Sequence, residues 1–118
     1  MRAARSFLEA LVAGDADRLA QAAADRFSFD GEAQSGRDAV RRTWQGLLAG
    51  RAGPAPGVNA VEVLSAQDAL ARHGKPPARV AALLRPGTWV AVGDVGGRPV
   101  VLFLAREGGR MAVLGIHD

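Results

Sequence analysis

Residues 99–105, PVVLFLA, are the stretch of sequence that decides the fold. Alternate side chains of a β-strand point to opposite faces of the sheet, so a strand of this composition is apolar on both faces. One face would carry Val101, Phe103 and Ala105, and the other would carry Val100, Leu102 and Leu104. Helices of the same chain can cover one face. A second subunit is the simplest cover for the other, which predicts a homodimer through the sheet face.

Further strand patterns surround this stretch. The carboxy-terminal third of the chain predicts three antiparallel strands, over residues 88–95, 99–106 and 110–117. Gly-Gly pairs join them, which is typical of tight hairpins. On the last strand, simple alternation predicts that His117 shares a face with Val113.

Apolar residues at helical spacing predict three helices within the first fifty residues. The first helix covers residues 3–13, and Asp15 is a natural N-cap for the second. Phe27 and Phe29 alternate with polar residues and predict a short strand. Residues 30–36, DGEAQSG, are then interpreted as a turn.

Two S-x-x-D patterns predict the starts of later helices, because the serine side chain can cap the first turn. The first pattern, Ser35 to Asp38, precedes the third helix. The second, Ser65 to Asp68, follows a strand predicted over residues 58–64 and opens a helix of two turns.

Length and composition predict one soluble domain over residues 1–118. The chain has 48% hydrophobic and 23% charged residues and no cysteine, so its fold depends on an apolar core without disulfides. No segment approaches the roughly 20 apolar residues of a membrane span. The formal charge is +3, and the arginines are spread among acidic residues, which does not favour nucleic-acid binding. A cytoplasmic location is expected, since a chain without cysteine fits that compartment.

Three segments resemble the nuclear transport factor 2-like superfamily, which includes the SnoaL-like and ketosteroid isomerase-like proteins. They are LVAGDADRLAQAAADRFSFDG (11–31), SGRDAVRRTW (35–44) and GRPVVLFLAREGGRMAVLGIHD (97–118). The resemblance implies an α+β fold, the cystatin-like roll, in which a cone-shaped, curved antiparallel sheet wraps around three N-terminal helices. It also implies a cavity with an apolar closed end. Residues 66–86 have no counterpart in this resemblance and are interpreted as a helical insertion.

Two candidate catalytic residues follow from the resemblance and the residue types. Asp30 matches the general-base aspartate of ketosteroid isomerase-like members, but the chain has no tyrosine, and Phe7 stands where their tyrosine donor is expected. The alternative is that Asp30, before Gly31, only initiates a turn. His117 could act as an acid or base near neutral pH, or it could simply lie at a frayed strand end.

The resemblance also implies a ligand pocket. Its predicted lining residues are Phe7, Phe29, Trp44, Leu48, Trp89 and Phe103. Packing in the core is the alternative interpretation for both tryptophans. No cofactor is predicted, and no metal, because two histidines far apart in the sequence have no metal-binding spacing.

The preferred hypothesis is therefore a bacterial SnoaL-like domain that binds an apolar small molecule, with its substrate unassigned. One alternative is an isomerase, dehydratase or cyclase that uses Asp30 or His117. Another is a dimeric protein-interaction domain without a ligand. Whether the chain is an enzyme stays open at this point, because the fold hosts many activities.

Overall fold

One six-stranded sheet organises the chain, and the computed structural model describes residues 2–50 and 57–117. The strands are β1 (Ala23–Phe29), β2 (Glu32–Ser35), β3 (Val58–Ser65), β4 (Trp89–Val95), β5 (Arg98–Glu107) and β6 (Arg110–His117). Their order across the sheet is β2-β1-β6-β5-β4-β3. The three strands predicted in the carboxy-terminal third are confirmed, and so is the α+β class of the fold.

The sheet is mixed, whereas an antiparallel sheet was predicted. Four pairings between neighbours are antiparallel, but β1 pairs with β6 in parallel. No hairpin joins these two strands, since β1 lies near the start of the chain and β6 at its end. A tight turn can join only antiparallel strands, and because none joins β1 to β6, these two strands can run parallel.

In the part of the chain that the structure describes, four α-helices and one 3₁₀ helix pack on this sheet. They are α1 (Arg2–Ala13), α2 (Ala16–Ala22), α3 (Arg37–Ala49), α4 (Ala66–His73) and the 3₁₀ helix (Ala78–Leu83). The Asp15 side chain accepts the backbone N–H of Arg18 at 3.1 Å, as the capping prediction requires. The Ser65 hydroxyl accepts the backbone N–H of Asp68 at the same distance, so the second capping pattern is also confirmed. None of the helices within the described residues is long and apolar enough to cross a bilayer.

The first capping pattern was wrong, and the turn predicted over residues 30–36 is confined to Asp30 and Gly31. Residues Glu32–Ser35 form β2, in which Ser35 pairs with Arg26 of β1. Gly36 is instead the N-cap of α3, with a φ of +91° and no side-chain hydrogen bond at that cap. The polar composition that suggested a turn belongs to a short edge strand, where polar residues are common.

Helices cover both faces of the sheet. On the first face, α1, α2 and α3 pack on Val100, Leu102 and Leu104 of β5. On the second face, Phe103 belongs to a separate core with Ala69 of α4 and Val80 of the 3₁₀ helix. The predicted division of β5 between two apolar faces is confirmed. The segment interpreted as an insertion covers the second face, for which a second subunit was the expected cover. Homodimer formation stays a prediction.

One extra residue in β6 places His117 on the second face. Two consecutive residues of β5 pair with Gly115 and Val113, so Leu114 has no partner of its own. Such a β-bulge reverses the alternation of side chains beyond it. His117 consequently lies opposite Val101, and the face predicted for it was wrong.

Candidate functional site

Asp30 lies in a tight turn that directly follows β1. Its φ is +51°, in the left-handed region, and Gly31 follows with a φ of +100°. The backbone N–H of Asp30 donates to the carbonyl of Ile116 at 2.9 Å, and the N–H of Gly31 donates to the Ser28 hydroxyl at 2.9 Å. These bonds fix the backbone on either side of the carboxylate and hold it beside the end of β6.

The structure brings Asp30 and His117 into direct contact. His117 Nδ1 lies 2.6 Å from Asp30 Oδ1, and the Arg79 Nε–H donates to the same oxygen at 3.0 Å. The His117 side chain is 17% exposed, whereas the Asp30 side chain is 45% exposed. Three separate elements thus supply one cluster, namely the turn after β1, the end of β6 and the 3₁₀ helix. We call these three residues the Asp30 cluster.

The two partners lower the pKa of Asp30. The hydrogen bond from His117 has the larger effect, and the bond from Arg79 adds to it. Both stabilise the carboxylate and so favour its ionised form at neutral pH. A carboxylate with a lowered pKa is a weak proton acceptor, so Asp30 is better suited to orient His117 than to act as a base. With Nδ1 bound to Asp30, the Nε2 atom of His117 is left for a ligand.

An apolar cleft of about 470 Å³ adjoins the Asp30 cluster, and we call it the aromatic cleft. Its lining consists of Leu11, Phe29, Asp30, Glu32, Thr43, Trp44, Leu47, Val100, Ile116 and His117. The rings of Phe29 and Trp44 meet edge to face with centroids 5.1 Å apart. The Trp44 indole N–H is buried and has no acceptor within residues 2–50 and 57–117. Apolar walls with a few polar groups at one end are typical of a small-molecule site.

Four of the residues predicted as site residues therefore line one cleft: Asp30, His117, Phe29 and Trp44. Phe7 does not line it, because its ring is fully buried behind Trp44, with centroids 6.1 Å apart. The interior between the helices and the first face is thus filled with side chains, and the aromatic cleft is what remains open at its end.

The other predicted pocket residues lie elsewhere. Leu48 packs against the core of the first face. Phe103 lies in the core of the second face, and Trp89 is half exposed beside Leu70 in a separate cleft. Phe103 faces away from the aromatic cleft because side chains of β5 alternate, and Trp89 pairs with Leu104, four residues along β5 from the Val100 that lines the cleft.

Arg79 is the member of the cluster that sequence reasoning missed. It lies in the segment interpreted as an insertion, where no resemblance guides the assignment. Its placement depends on contact between the 3₁₀ helix and the turn after β1. A Cβ atom at Gly31 would come within 2.8 Å of the Arg79 backbone oxygen. In the sequence, the signal for this close contact between the turn and the 3₁₀ helix is the glycine at position 31.

The described residues contain no group of three or more histidine, cysteine, aspartate or glutamate side chains that could hold a metal ion. The two histidines do border one further cleft, of about 390 Å³, which lies on the second face near Phe103. His117 is the last residue of β6, and its side chain borders both this cleft and the aromatic cleft.

Comparisons with known proteins identify the fold. No protein-family model matches this sequence, and no curated protein matches it significantly. Among solved structures, a protein of unknown function with a cystatin-like fold from Nostoc punctiforme has a TM-score of 0.60 and 10% identity, over 98% of this chain and 84% of that one. A DUF4783 family protein from Bacteroides ovatus has a TM-score of 0.58 and 13% identity, over 95% and 89%.

An NTF2-like protein of unknown function from Pseudomonas putida is also similar. Its TM-score is 0.54 at 13% identity, over 98% of this chain and 80% of that one. At such identities the similarity concerns the fold alone. The chain has the nuclear transport factor 2-like fold, with the cystatin-like α+β architecture, as the sequence resemblance implied.

Proposed function

We propose that this protein binds a small, largely apolar molecule in the aromatic cleft, with a polar group of that molecule at His117 and Asp30. The observation that carries the proposal is the meeting of these two side chains at the rim of a cleft walled by Phe29 and Trp44. A ring system would gain contact with the aromatic walls, and one hydroxyl or carbonyl group would find a partner at the rim.

The two tryptophans provide a direct test, because each gives its own indole N–H signal in a ¹H–¹⁵N NMR spectrum. Trp44 lines the aromatic cleft and Trp89 does not, so Trp89 serves as an internal reference. We use 2-naphthol, a bicyclic molecule with one hydroxyl group, as the probe. Titration should shift the Trp44 signal in a saturable way and leave the Trp89 signal in place. The variant Trp89→Phe assigns the two signals.

Two exposed leucines supply matched variants for this titration. Leu47 on α3 lines the aromatic cleft and is 59% exposed, whereas Leu70 on α4 is 42% exposed outside it. Leu47→Glu should weaken 2-naphthol binding about tenfold by placing a charge at an apolar contact, and Leu70→Glu should not change it. Equal shifts of both indole signals, or equal effects of both substitutions, would overturn the proposal.

A second candidate function is proton transfer at a group bound in the same cleft. The observation that favours it is the 2.6 Å contact between His117 Nδ1 and Asp30 Oδ1, which orients the imidazole. A histidine held this way can take a proton from a carbon next to a carbonyl and return it elsewhere, as isomerases, dehydratases and cyclases require.

Exchange of the α-protons of 2-tetralone with D₂O tests this activity. The protein should accelerate the exchange above the buffer rate, and His117→Gln should abolish the acceleration. His73→Gln removes the other histidine, which does not border the aromatic cleft, and should leave the rate unchanged. If 2-naphthol binds but the exchange rate equals that of buffer, the protein is a binder and the catalytic candidate is excluded for ketones of this class.

A further inference from the structure

A polar cleft lies on the side of β1 opposite the aromatic cleft. Arg26, Arg79 and Arg85 border it, and its volume is about 420 Å³. We call it the arginine cleft; its remaining lining residues are Ser28, Gly31, Ala33, Ala82, Leu83, Glu107 and Leu114. Arg26 and Ser28 face this side because side chains of β1 alternate, and Phe27 and Phe29 face the other.

Close packing holds the two walls of the arginine cleft together. One wall is β1 with β6, and the other is the 3₁₀ helix. A Cβ atom at Gly115 would lie 2.8 Å from Leu83 Cδ1 and 3.0 Å from Ser28 Cβ, and one at Gly31 would lie 2.8 Å from Arg79 Cβ. Gly31 lets the backbone of the 3₁₀ helix pack against the turn after β1, and Gly115 leaves room for the Leu83 side chain, so the helix that carries Arg79 packs directly on the strands.

Hydrogen-bond donors in the arginine cleft remain available. Within the described residues, the side chains of Arg26 and Arg85 have neither an ion-pair partner nor a hydrogen bond. Arg79 donates from Nε to Asp30, and within the described residues its two terminal nitrogens have no hydrogen-bond partner. The bond to Asp30 also restricts the position of these nitrogens. The Ser28 hydroxyl accepts from Gly31 and still has its own proton to donate.

We propose that the arginine cleft binds the phosphate group of a small phosphate monoester. The lining residues carry three guanidinium groups and the one carboxylate of Glu107, a formal charge of +2, and the Asp30 carboxylate that Arg79 binds beside the cleft reduces the local charge to +1. A phosphate monoester carries a charge of about −2 at neutral pH, and guanidinium groups bind its oxygens in a paired geometry. The volume exceeds the need of phosphate alone, and Leu83, Leu114 and Ala82 offer apolar contact to an organic portion. This cleft lies on the other side of β1 from the aromatic cleft, and Arg79 is the one residue that it shares with the Asp30 cluster.

NMR titration with sn-glycerol 3-phosphate, at constant ionic strength, tests the proposal. The backbone amide signals of Ser28 and Gly31 should shift and saturate. Acetate, which carries a single charge, should bind at least about tenfold more weakly, because it engages fewer guanidinium groups. Inorganic phosphate should shift the same signals and should bind more weakly than the monoester if the organic portion makes contact.

Two double variants that each lose two positive charges distinguish specific binding in the arginine cleft from nonspecific electrostatic attraction to the protein. Arg26→Gln with Arg85→Gln removes two of the three guanidinium groups and should weaken binding at least about tenfold. Arg5→Gln with Arg98→Gln removes two exposed arginines elsewhere and should leave binding unchanged. The proposal is overturned if the wild-type signals do not saturate, if both double variants lose affinity equally, or if acetate binds as tightly as the monoester. Each spectrum also reports whether its variant is folded.

Discussion

His117 Nδ1 lies 2.6 Å from Asp30 Oδ1, although the two residues are 87 positions apart in the sequence. Their contact follows from the parallel pairing of β1 with β6, in which Phe29 lies opposite Ile116. Parallel strands end at the same edge of a sheet, so the residues that follow Phe29 and Ile116 become neighbours. A wholly antiparallel sheet would place these ends at opposite edges.

Asp30→Asn is expected to destabilise the protein at neutral pH and to lose that effect in acid. The hydrogen bonds from His117 and Arg79 lower the pKa of Asp30 in the folded state. The resulting stabilisation is fully present above the pKa of aspartate in an unfolded chain, about 3.9, and is lost as the pH falls through the lower pKa of the folded protein. Urea unfolding from about pH 7 to about pH 2 should therefore show two stability curves that differ above pH 4 and converge below it.

Asparagine is the informative replacement because it tolerates the left-handed backbone that Asp30 adopts, so the substitution changes charge without adding strain. Asp94→Asn serves as the control. Asp94 Oδ1 accepts the backbone N–H of Gly97 at 2.7 Å, and an amide oxygen can accept the same bond. A pH-dependent loss of equal size in both variants would show that the Asp30 cluster has no special role.

The sequence predicts the elements of this fold well and their arrangement at the site less well. Strand β5 was assigned correctly, including both of its faces, because alternation depends only on neighbouring residues. The face of His117 was not, since the bulge at Leu114 leaves no mark in the composition of β6. A register change of one residue is a property of strand pairing and is not encoded in local pattern.

The difference between local sequence pattern and strand pairing also explains how much of the candidate site could be predicted. Asp30 and His117 could each be proposed from residue type, but their contact needs the parallel pairing of β1 and β6. Arg79 could not be proposed, because the position of the 3₁₀ helix is set by its packing on Gly31 and Gly115. Phe103 was expected to line the ligand pocket and lies instead beneath α4. The sequence of α4 does not indicate that this helix packs on the second face.

Thr88→Val is expected to stabilise the protein by about 1 kcal/mol. The Thr88 hydroxyl is buried and has no hydrogen-bond partner within the described residues. A methyl group of similar size removes the cost of burying an unpaired hydroxyl. Thermal unfolding should show a midpoint higher by about 3 to 4 °C. Thr88→Ser keeps the hydroxyl and loses the methyl group, so it should lower the midpoint, and a rise in both variants would contradict this explanation.

Two glycine-to-alanine substitutions should change stability in opposite directions. A methyl group at Gly115 would lie 2.8 Å from Leu83 Cδ1, which the leucine side chain can relieve by rotating, and 3.0 Å from both Cβ and the backbone oxygen of Ser28, so Gly115→Ala must push β6 and β1 apart at this point. Overpacking of this kind costs about 1 to 3 kcal/mol. Gly46 lies on the exposed side of α3 with nothing within 4 Å, and Gly46→Ala should stabilise the helix by roughly 0.5 to 1 kcal/mol. Urea unfolding measures both changes. If Gly115→Ala left the free energy of unfolding unchanged, β6 and β1 would not approach each other as closely at Gly115 and Ser28 as the structure describes.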